Sequence, residues 1–446
     1  MKKGMVVALG VLLLAAVAYG QPGNWTFEKL LVDFHLPQSN AYGVHAVVVD
    51  PDDHIWVGLH AITTDTIFTA AGDTIPLNPI YVFDKDGNQV SFSPIKFLTV
   101  DGVTDTLSTA LKCKGMHLDH EGNILYSAGA VGIYRINYKT GEAMAKWESP
   151  IKSSLTEAAC DAQGNIYVGY VLGKDKPVYI LDKDFNMIGT AIDTLGYINR
   201  TIEVTPDGKD LYTGSTWIGF GIVHWHSDIP GVLKYAPVDT FGNWYNVTVG
   251  DTTYDVVYLW ASCLDWGPRG YLWAGNLRPD WSGPKGGMYY AYDVVTKQCV
   301  DSVGIAMGDS SKGGIYSPRG AAWSTDGKTM YLGDYDYNVV SVWKYTPTGV
   351  AEASHKSLPT TFKLGQNYPN PFNPTTVIPF SLVKDSYVEL KVYDSMGREV
   401  ASLLNRKLAA GNHKVVFHAQ SLPSGNYYVS LVVNGTVQTR KMVLIK

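Results

Sequence analysis

"GMHLDHEGNILYSAG" (115–129) decides the fold. A short apolar strand runs into Asp119, a turn carries Gly122 and Asn123, and a second strand returns with Tyr126 among small residues. Asp and Asn close such turns by bonding nearby backbone, and Gly supplies the positive φ. The same phrase recurs as "AVVVDPDDHIWVG" (46–58), "EAACDAQGNIYVG" (157–169), "TIEVTPDGKDLYTG" (201–214), "ASCLDWGPRGYLWAG" (261–275) and "GAAWSTDGKTMYLG" (320–333). The turn positions Asp50, Asp119, Asp161, Thr205, Asp265 and Ser324 are 69, 42, 44, 60 and 59 residues apart. The shorter spacings suit a four-stranded propeller blade, and the longer ones leave room for inserted loops.

A second hairpin follows most repeats, as in "IYVFDKDGNQVSF" (80–92), "GIYRINYKTGEAM" (132–144) and "PVYILDKDFNMIG" (177–189). Two hairpins make one four-stranded sheet, and a ring of such sheets hides most strand edges. The sixth repeat ends at "VVSVWKYT" (339–346), one strand short, while "WTFEKLLVDF" (25–34) stands before the first repeat without a partner. The N-terminal strand is therefore expected to complete the sixth blade and close the ring. The fold class expected is all-β, a six-bladed β-propeller followed by a small antiparallel β-sandwich.

The repeats resemble the NHL-repeat and regucalcin-like lactonase superfamily of six-bladed propellers, through the Asp-x-x-Gly-Asn turns at 119–123 and 161–165 and "SPRGAAWSTDGKTMYLG" (317–333). The resemblance covers about 24–347. It implies a calcium or zinc site at the tunnel mouth, held by carboxylates and carboxamides five residues before several turn positions. Hard divalent ions need such oxygen donors. Those positions hold His45, Lys114, Thr156, Arg200, Trp260 and Arg319, with no carboxylate or carboxamide. No metal or other cofactor is expected there. Three cations and a His around one opening suit an anionic ligand instead, unless Arg200 and Arg319 pair with local acids such as Glu157 or Glu203.

Composition bounds the rest. The 446 residues are 46% hydrophobic and 12% aromatic, with 45 Gly and 29 Tyr, which fits folded β structure. A net charge of −5 argues against a nucleic-acid partner. Lys2 and Lys3, the apolar run 5–18, and Ala18 and Gly20 before Gln21 read as a signal peptide over 1–20. No later apolar run reaches the length of a membrane span, so the mature protein is expected to lack one. Cys113, Cys160, Cys263 and Cys299 permit disulfides in an exported chain but lack zinc-ligand spacing.

Two further clusters carry candidate chemistry. "HWHSD" puts His224, His226 and Asp228 on one face if extended, a weak metal candidate in an expected blade-4 insertion. Trp225, Trp244 and Trp281 are candidates for an aromatic, sugar-stacking surface.

Beyond a linker at 348–363, residues 364–446 alternate apolar and polar positions between turns. This stretch resembles the type A C-terminal sorting domain of the type IX secretion system, related to an Ig-like module of the flagellar-hook assembly family. "NYPNPFNPTT" (367–376), "VYDSMGREV" (392–400), "LPSGNYYVSL" (422–431) and the basic final strand carry the resemblance, with Asn367, Pro369, Asn370, Pro371, Phe372, Gly397, Arg398, Gly425 and Lys446 as motif residues. It implies handling by the type IX machinery, outer-membrane translocation after a Sec-type signal, and release or attachment at the surface. The function expected is an exported binding or interaction protein for a glycan, an anionic ligand or a protein. The alternatives are a secreted hydrolase or lyase working on an anionic or carbohydrate substrate at the tunnel mouth, and a structural envelope component.

Overall fold

The computed structural model describes residues 25–35, 42–61, 65–68, 72–195, 198–216, 221–231, 234–249, 252–277, 287–306, 308–346, 362–365, 367, 370, 372–382, 386–394, 398–409, 411–420, 422–433 and 436–445. For 243–258 the description is of the backbone alone. The expected signal peptide and most of the linker lie outside these residues, as do Trp281, Pro369, Pro371, Gly397 and Lys446. The chain divides into two compact units, Met1–Thr348 and Gly349–Lys446.

In the first unit, six antiparallel sheets follow one another in sequence order. Their first strands are Gly43–Val49, Cys113–Leu118, Ala159–Cys160, Asn199–Val204, Ala261–Trp266 and Pro318–Trp323. Each packs beside the next and the sixth packs beside the first, so these strands line the axis of a closed six-bladed ring. The N-terminal strand Trp25–Asp33 pairs antiparallel with Val339–Tyr345, from Trp25 opposite Tyr345 to Asp33 opposite Val339. It is the outer strand of blade six, as its missing partner in the sequence required. Trp25 anchors the closure, edge-on to Trp273 at 6.3 Å and to Tyr345 at 5.3 Å.

The repeated turns hold for a concrete reason. In three blades one carboxylate oxygen of Asp50, Asp119 or Asp161 accepts two backbone N–H bonds, at positions i+2 and i+4. The other oxygen takes a group from beyond the turn: the Trp56 indole N–H at 2.9 Å, Arg135 at 2.8 Å and the Tyr167 hydroxyl at 3.2 Å. The side chain thus fixes the turn and ties it to the rest of its blade. Thr205 and Ser324 shift the work to Asp207 and Asp326 two residues on. Asp265 leaves its own turn and accepts the Ala321 N–H of blade six at 3.0 Å.

Blade one is the irregular one. It has three paired strands, Gly43–Val49, Ile55–His60 and Ile80–Phe83, and its fourth is reduced to isolated bridges at Ile95 and Gln89. The insertion between blades four and five is the hairpin Asn243–Val249 with Thr252–Tyr258. "HWHSD" does not belong to an insertion: Ile222–His226 is the third strand of blade four, paired on both sides.

The second unit is a sandwich of two antiparallel sheets. One orders Phe362–Leu364, Thr375–Leu382 and Gly411–His418; the other orders Glu399–Leu408, Ser386–Asp394, Gly425–Val433 and Thr436–Leu444. Thr375–Leu382 alternates half-buried and buried residues along its length, and both sheets feed one core that includes Phe372, Ile378, Leu390, Phe417 and Leu431. The Asn-Pro-rich stretch docks on the final strand. Phe372 donates its N–H to Val443 O at 2.9 Å, Asn370 Oδ1 accepts the Val443 N–H at 2.8 Å, and Ile445 N–H reaches Phe372 O at 3.0 Å. Buried Asn367 donates from Nδ2 to Thr376 Oγ1 at 2.9 Å, and Arg398 pairs with Asp394 at 2.8 Å. Gly425 opens the strand Gly425–Val433.

Candidate functional site

His45, Lys114, Arg200 and Arg319 each sit where the pairing of an innermost strand slips. The register jumps between Val44 and Ala46, between Cys113 and Gly115, between Asn199 and Thr201, and between Pro318 and Ala321. A β-bulge turns a side chain out of the regular alternation. Four blades use that device at the same level of the ring, and four basic residues occupy it.

Each of these groups feels the others. Burial, then the charges of Arg200, Lys112 and Arg319, brings the Lys114 ammonium down to about 7. Burial, then Arg319, lowers Arg200 to about 10, and burial lowers Arg319 itself. His45 is pushed well below its usual value by burial, with Arg319, His60, Lys114 and Arg200 adding to it. His45 and Lys114 therefore lie within the field of both guanidinium groups, and three of the four residues are buried.

The local acids do not neutralise them. Among the described residues no ion pair joins Arg200, Arg319 or Lys114 to a carboxylate within 4.0 Å. Glu203 pairs instead with His117 at 3.2 Å, and Glu157 accepts the Thr201 hydroxyl at 3.1 Å. Arg319 is 5% exposed, and its buried Nε and Nη1 have no hydrogen-bond acceptor. Its guanidinium lies over the ring of Tyr335, 5.2 Å from the centroid. His45 Nδ1 is likewise buried without a partner. Among the described residues, the Arg200 side chain makes one long hydrogen bond, from Nε to Thr216 Oγ1 at 3.4 Å. A buried charge without its counter-charge costs several kcal/mol.

Three residues outside the sequence pattern complete the mouth. His60 stacks on His45 at 5.0 Å, bonds Cys113 O through Nδ1 at 3.0 Å, and is lowered to about 3 by burial and Lys114. Tyr335 lies 5.9 Å from His45, edge-on, and beneath Arg319. Asp336 is held up at about 6 by burial and Asp334, against the pull of Arg319. The other two members of the predicted ring contribute differently. Thr156 is fully buried and its Oγ1 accepts the Gly169 N–H at 3.0 Å, so its hydroxyl is a strand fastener. Trp260 is half-buried, and its backbone N–H goes to Asn276 Oδ1 at 3.1 Å.

The opposite ends of the inner strands enclose a cavity of about 530 Å³, lined by His117, Glu203, Asp265, Trp266 and Trp323 among others. Its ionisable groups His117 and Glu203 are paired with one another, while the buried Trp323 indole nitrogen has no partner. Burial pulls His117 down, but the Glu203 carboxylate overrides it and holds the imidazole up at about 9. Burial and the neighbouring carboxylates push Glu157 and Asp265 well up. Volume favours this end of the tunnel; unmet bonding capacity is greater at the cationic end, where Arg319 Nε and Nη1 and His45 Nδ1 are buried without partners.

The remaining candidates resolve into structure. His224 Nε2 and His226 Nδ1 both contact Asp210 Oδ1 at 2.8 Å, and among the described residues no group of His, Cys, Asp and Glu is arranged to hold a metal. Asp228 is 3.5 Å from His226 Nε2. The Trp225 indole donates to Thr213 Oγ1 at 3.0 Å and packs on the core shared by blades three and four. Trp244 lies on the inserted hairpin, its side chain outside the description. All four cysteines are free thiols, two of them buried.

Residues 366–446 match the family described as the secretion system C-terminal sorting domain. That domain marks the chain for secretion or cell-surface attachment. No curated protein matches the chain. Among solved structures, PorZ of Porphyromonas gingivalis, described as an essential bacterial surface component of the type IX secretion system, is 14% identical over 96% of this chain, with a TM-score of 0.40. The chain spans 61% of the length of PorZ. A streptogramin B lyase is 11% identical over 72% of this chain and 97% of its own, at 0.41. The Pan2 WD40 domain of Neurospora crassa is 12% identical over 73% and 96%, at 0.41. Likeness this distant carries no argument about activity; the propeller is read from its own strand pairing.

Proposed function

We propose that this chain is an exported binding protein. Its propeller is delivered by a type IX sorting tail to the cell surface or the medium, and it captures an anionic ligand at the cationic tunnel mouth. The observation that carries the reading is Arg319: a buried guanidinium with two nitrogens lacking acceptors and no carboxylate within ion-pair distance among the described residues. Proteins carry such destabilising groups chiefly at functional sites. An anion entering between Arg319, Arg200 and Lys114 would exchange its water for charge-assisted hydrogen bonds.

The test is equilibrium binding of sulfate to the full chain, with Arg319→Met as the comparison. Saturable binding that weakens at least tenfold in Arg319→Met supports the reading. Absent binding, or binding indifferent to the substitution, overturns it. Delivery is tested separately by removing 366–446 in a host with the type IX machinery, which should leave the propeller behind the outer membrane.

A further inference from the structure

The cavity at the turn end of the tunnel has a chemistry of its own. Val47 and Val49 of blade one, Met116 and Leu118 of blade two, and Ala321 of blade six give it apolar sides. Two partly exposed indoles, Trp266 and Trp323, add aromatic surface. Trp266 spends its N–H on Val204 O at 2.9 Å, and the Trp323 nitrogen is shut away from solvent. Both therefore offer ring surface, not donors. The two rings belong to one wall: Gly267, next to Trp266, has no Cβ, and one there would sit 3.0 Å from Trp323 Cζ2. Asp265 joins them, since its Oδ2 accepts the N–H of Ala321, on the strand that carries Trp323, at 3.0 Å.

The charges lining the cavity have one sign to spare. His117 of blade two meets Glu203 of blade four at 3.2 Å, reaching past blade three, and its other nitrogen bonds Leu118 O at 2.6 Å. With an acceptor on each nitrogen the imidazole donates twice, as a cation, and cancels Glu203. Asp265, partly exposed, and Asp326, exposed at the rim, are in no ion pair among the described residues. Among those residues no Lys or Arg lines the cavity, so no free cation is left for an anion. A wholly apolar molecule would cut Asp265 off from water without a counter-charge. A cation on an apolar body satisfies both, its charge against the carboxylate and the indole rings and its body against the aliphatic wall.

We propose that this cavity is a second binding site, taking a small organic cation whose ammonium group, primary or quaternary, is held by the Asp265 carboxylate and the Trp266 and Trp323 rings. The site is independent of the anion-binding reading, since none of the cationic mouth residues lines it. Its volume of about 530 Å³ admits an aromatic ring with an alkylammonium arm. Burial and Glu203 push Asp265 up to about 8, the state of a carboxyl short of counter-charge. Binding is therefore measured at pH 8.5, where that carboxyl is mostly ionised before any ligand arrives.

Calorimetry on the full chain compares benzyltrimethylammonium, benzyl alcohol and phenylacetate at equal ionic strength. The ammonium is expected to bind saturably, at least about tenfold more tightly than either of the others. Asp265→Asn keeps an acceptor for the Ala321 N–H but loses the charge, and should weaken the ammonium at least about tenfold. Trp323→Leu should weaken it at least about threefold. Arg319→Met, at the far mouth, should leave it unchanged within about twofold. Benzyl alcohol binding as tightly as the ammonium marks a plain apolar pocket and overturns the inference, as does tighter binding of phenylacetate. Ammonium affinity unchanged in Asp265→Asn, or lost in Arg319→Met, also overturns it, because the cation then binds elsewhere. Absence of ammonium binding overturns it outright. If Asp265→Asn fails to fold, the ranking of the probes on the unaltered chain still decides, because it needs no variant. Sulfate binding and its response to Arg319→Met stand or fall separately.

Discussion

Arg319→Met separates a functional cation from a structural one, because the two roles predict opposite signs. The guanidinium is 5% exposed, lacks acceptors on Nε and Nη1, and is repelled by Arg200. Keeping it buried costs several kcal/mol, and replacing buried ions by apolar groups of similar size is neutral or stabilising by about 1–4 kcal/mol. Against this stands the ring of Tyr335 at 5.2 Å, worth about 1–2 kcal/mol as a cation–π contact. Methionine keeps the aliphatic packing. The net expectation is a gain of about 1 kcal/mol in the anion-free chain, between a loss of about 1 and a gain of about 3. At about 2.1 cal/mol/K per residue over roughly 320 residues, each kcal/mol moves the midpoint by about 1.5 °C, so the rise should be about 1–2 °C and should not exceed about 4 °C. Tryptophan fluorescence during thermal unfolding is the assay, because all 12 Trp lie in the propeller unit and the second unit is silent. The measurement must be made in sulfate- and phosphate-free buffer. A loss of 2 kcal/mol or more would mean that Arg319 holds a structural partner, and the argument from unmet bonding would collapse.

Thr156→Ala should lower stability by about 1 kcal/mol through the lost bond to Gly169, while sulfate affinity stays within twofold; a large loss of affinity would put Thr156 in the site. Gly43→Ala should cost more than about 3 kcal/mol, because a Cβ there would collide with the Tyr335 backbone; unfolding in denaturant reads it. Trp25→Ala should cost about 3–5 kcal/mol by emptying the ring closure against Trp273 and Tyr345, and an unchanged midpoint would show the N-terminal strand to be dispensable. The pH profile has opposed contributions. His117 is raised to about 9, so its stabilisation is present below 6.5 and lost as pH climbs through 9, and the raised Asp265 loses stability in the same direction. Lys114, lowered to about 7, works the other way between 7 and 10.5. Lys114→Met should therefore steepen the fall in midpoint between pH 7 and 9, and a profile no steeper than that of the parent chain would contradict this.

The ring was legible because its signal is local: a turn that needs Asp and Gly leaves a mark in every repeat. The unpaired strand at 25–34 was legible by subtraction, since blade six lacked one. The mouth was half legible. Counting five residues back from each turn reached His45, Lys114, Arg200 and Arg319, and it also swept in Thr156, whose hydroxyl the neighbouring strand consumes. His60 and Asp336 escaped because they belong to the returning strands, or to the residues just past them. Antiparallel register brings those ends back beside the inner-strand starts, with Gly43 opposite His60 and Pro318 opposite Asp334. Reading across the hairpin as well as along it would have found them. "HWHSD" misled for a different reason. Two His on one face resemble metal ligands, but a carboxylate on the adjacent strand, Asp210, satisfies both. The carboxylate cluster at the far end of the tunnel gathers Glu157, Glu203 and Asp265 from three blades, and no sequence spacing announces that meeting.

The most direct test is a crystal of the full chain grown with selenate in place of sulfate and measured at the selenium edge. The account predicts an anomalous peak at the tunnel mouth, within hydrogen-bond distance of Arg319 and facing Lys114 and Arg200, which disappears in crystals of Arg319→Met. Selenate found only elsewhere, with the mouth empty at saturating concentration, would contradict it.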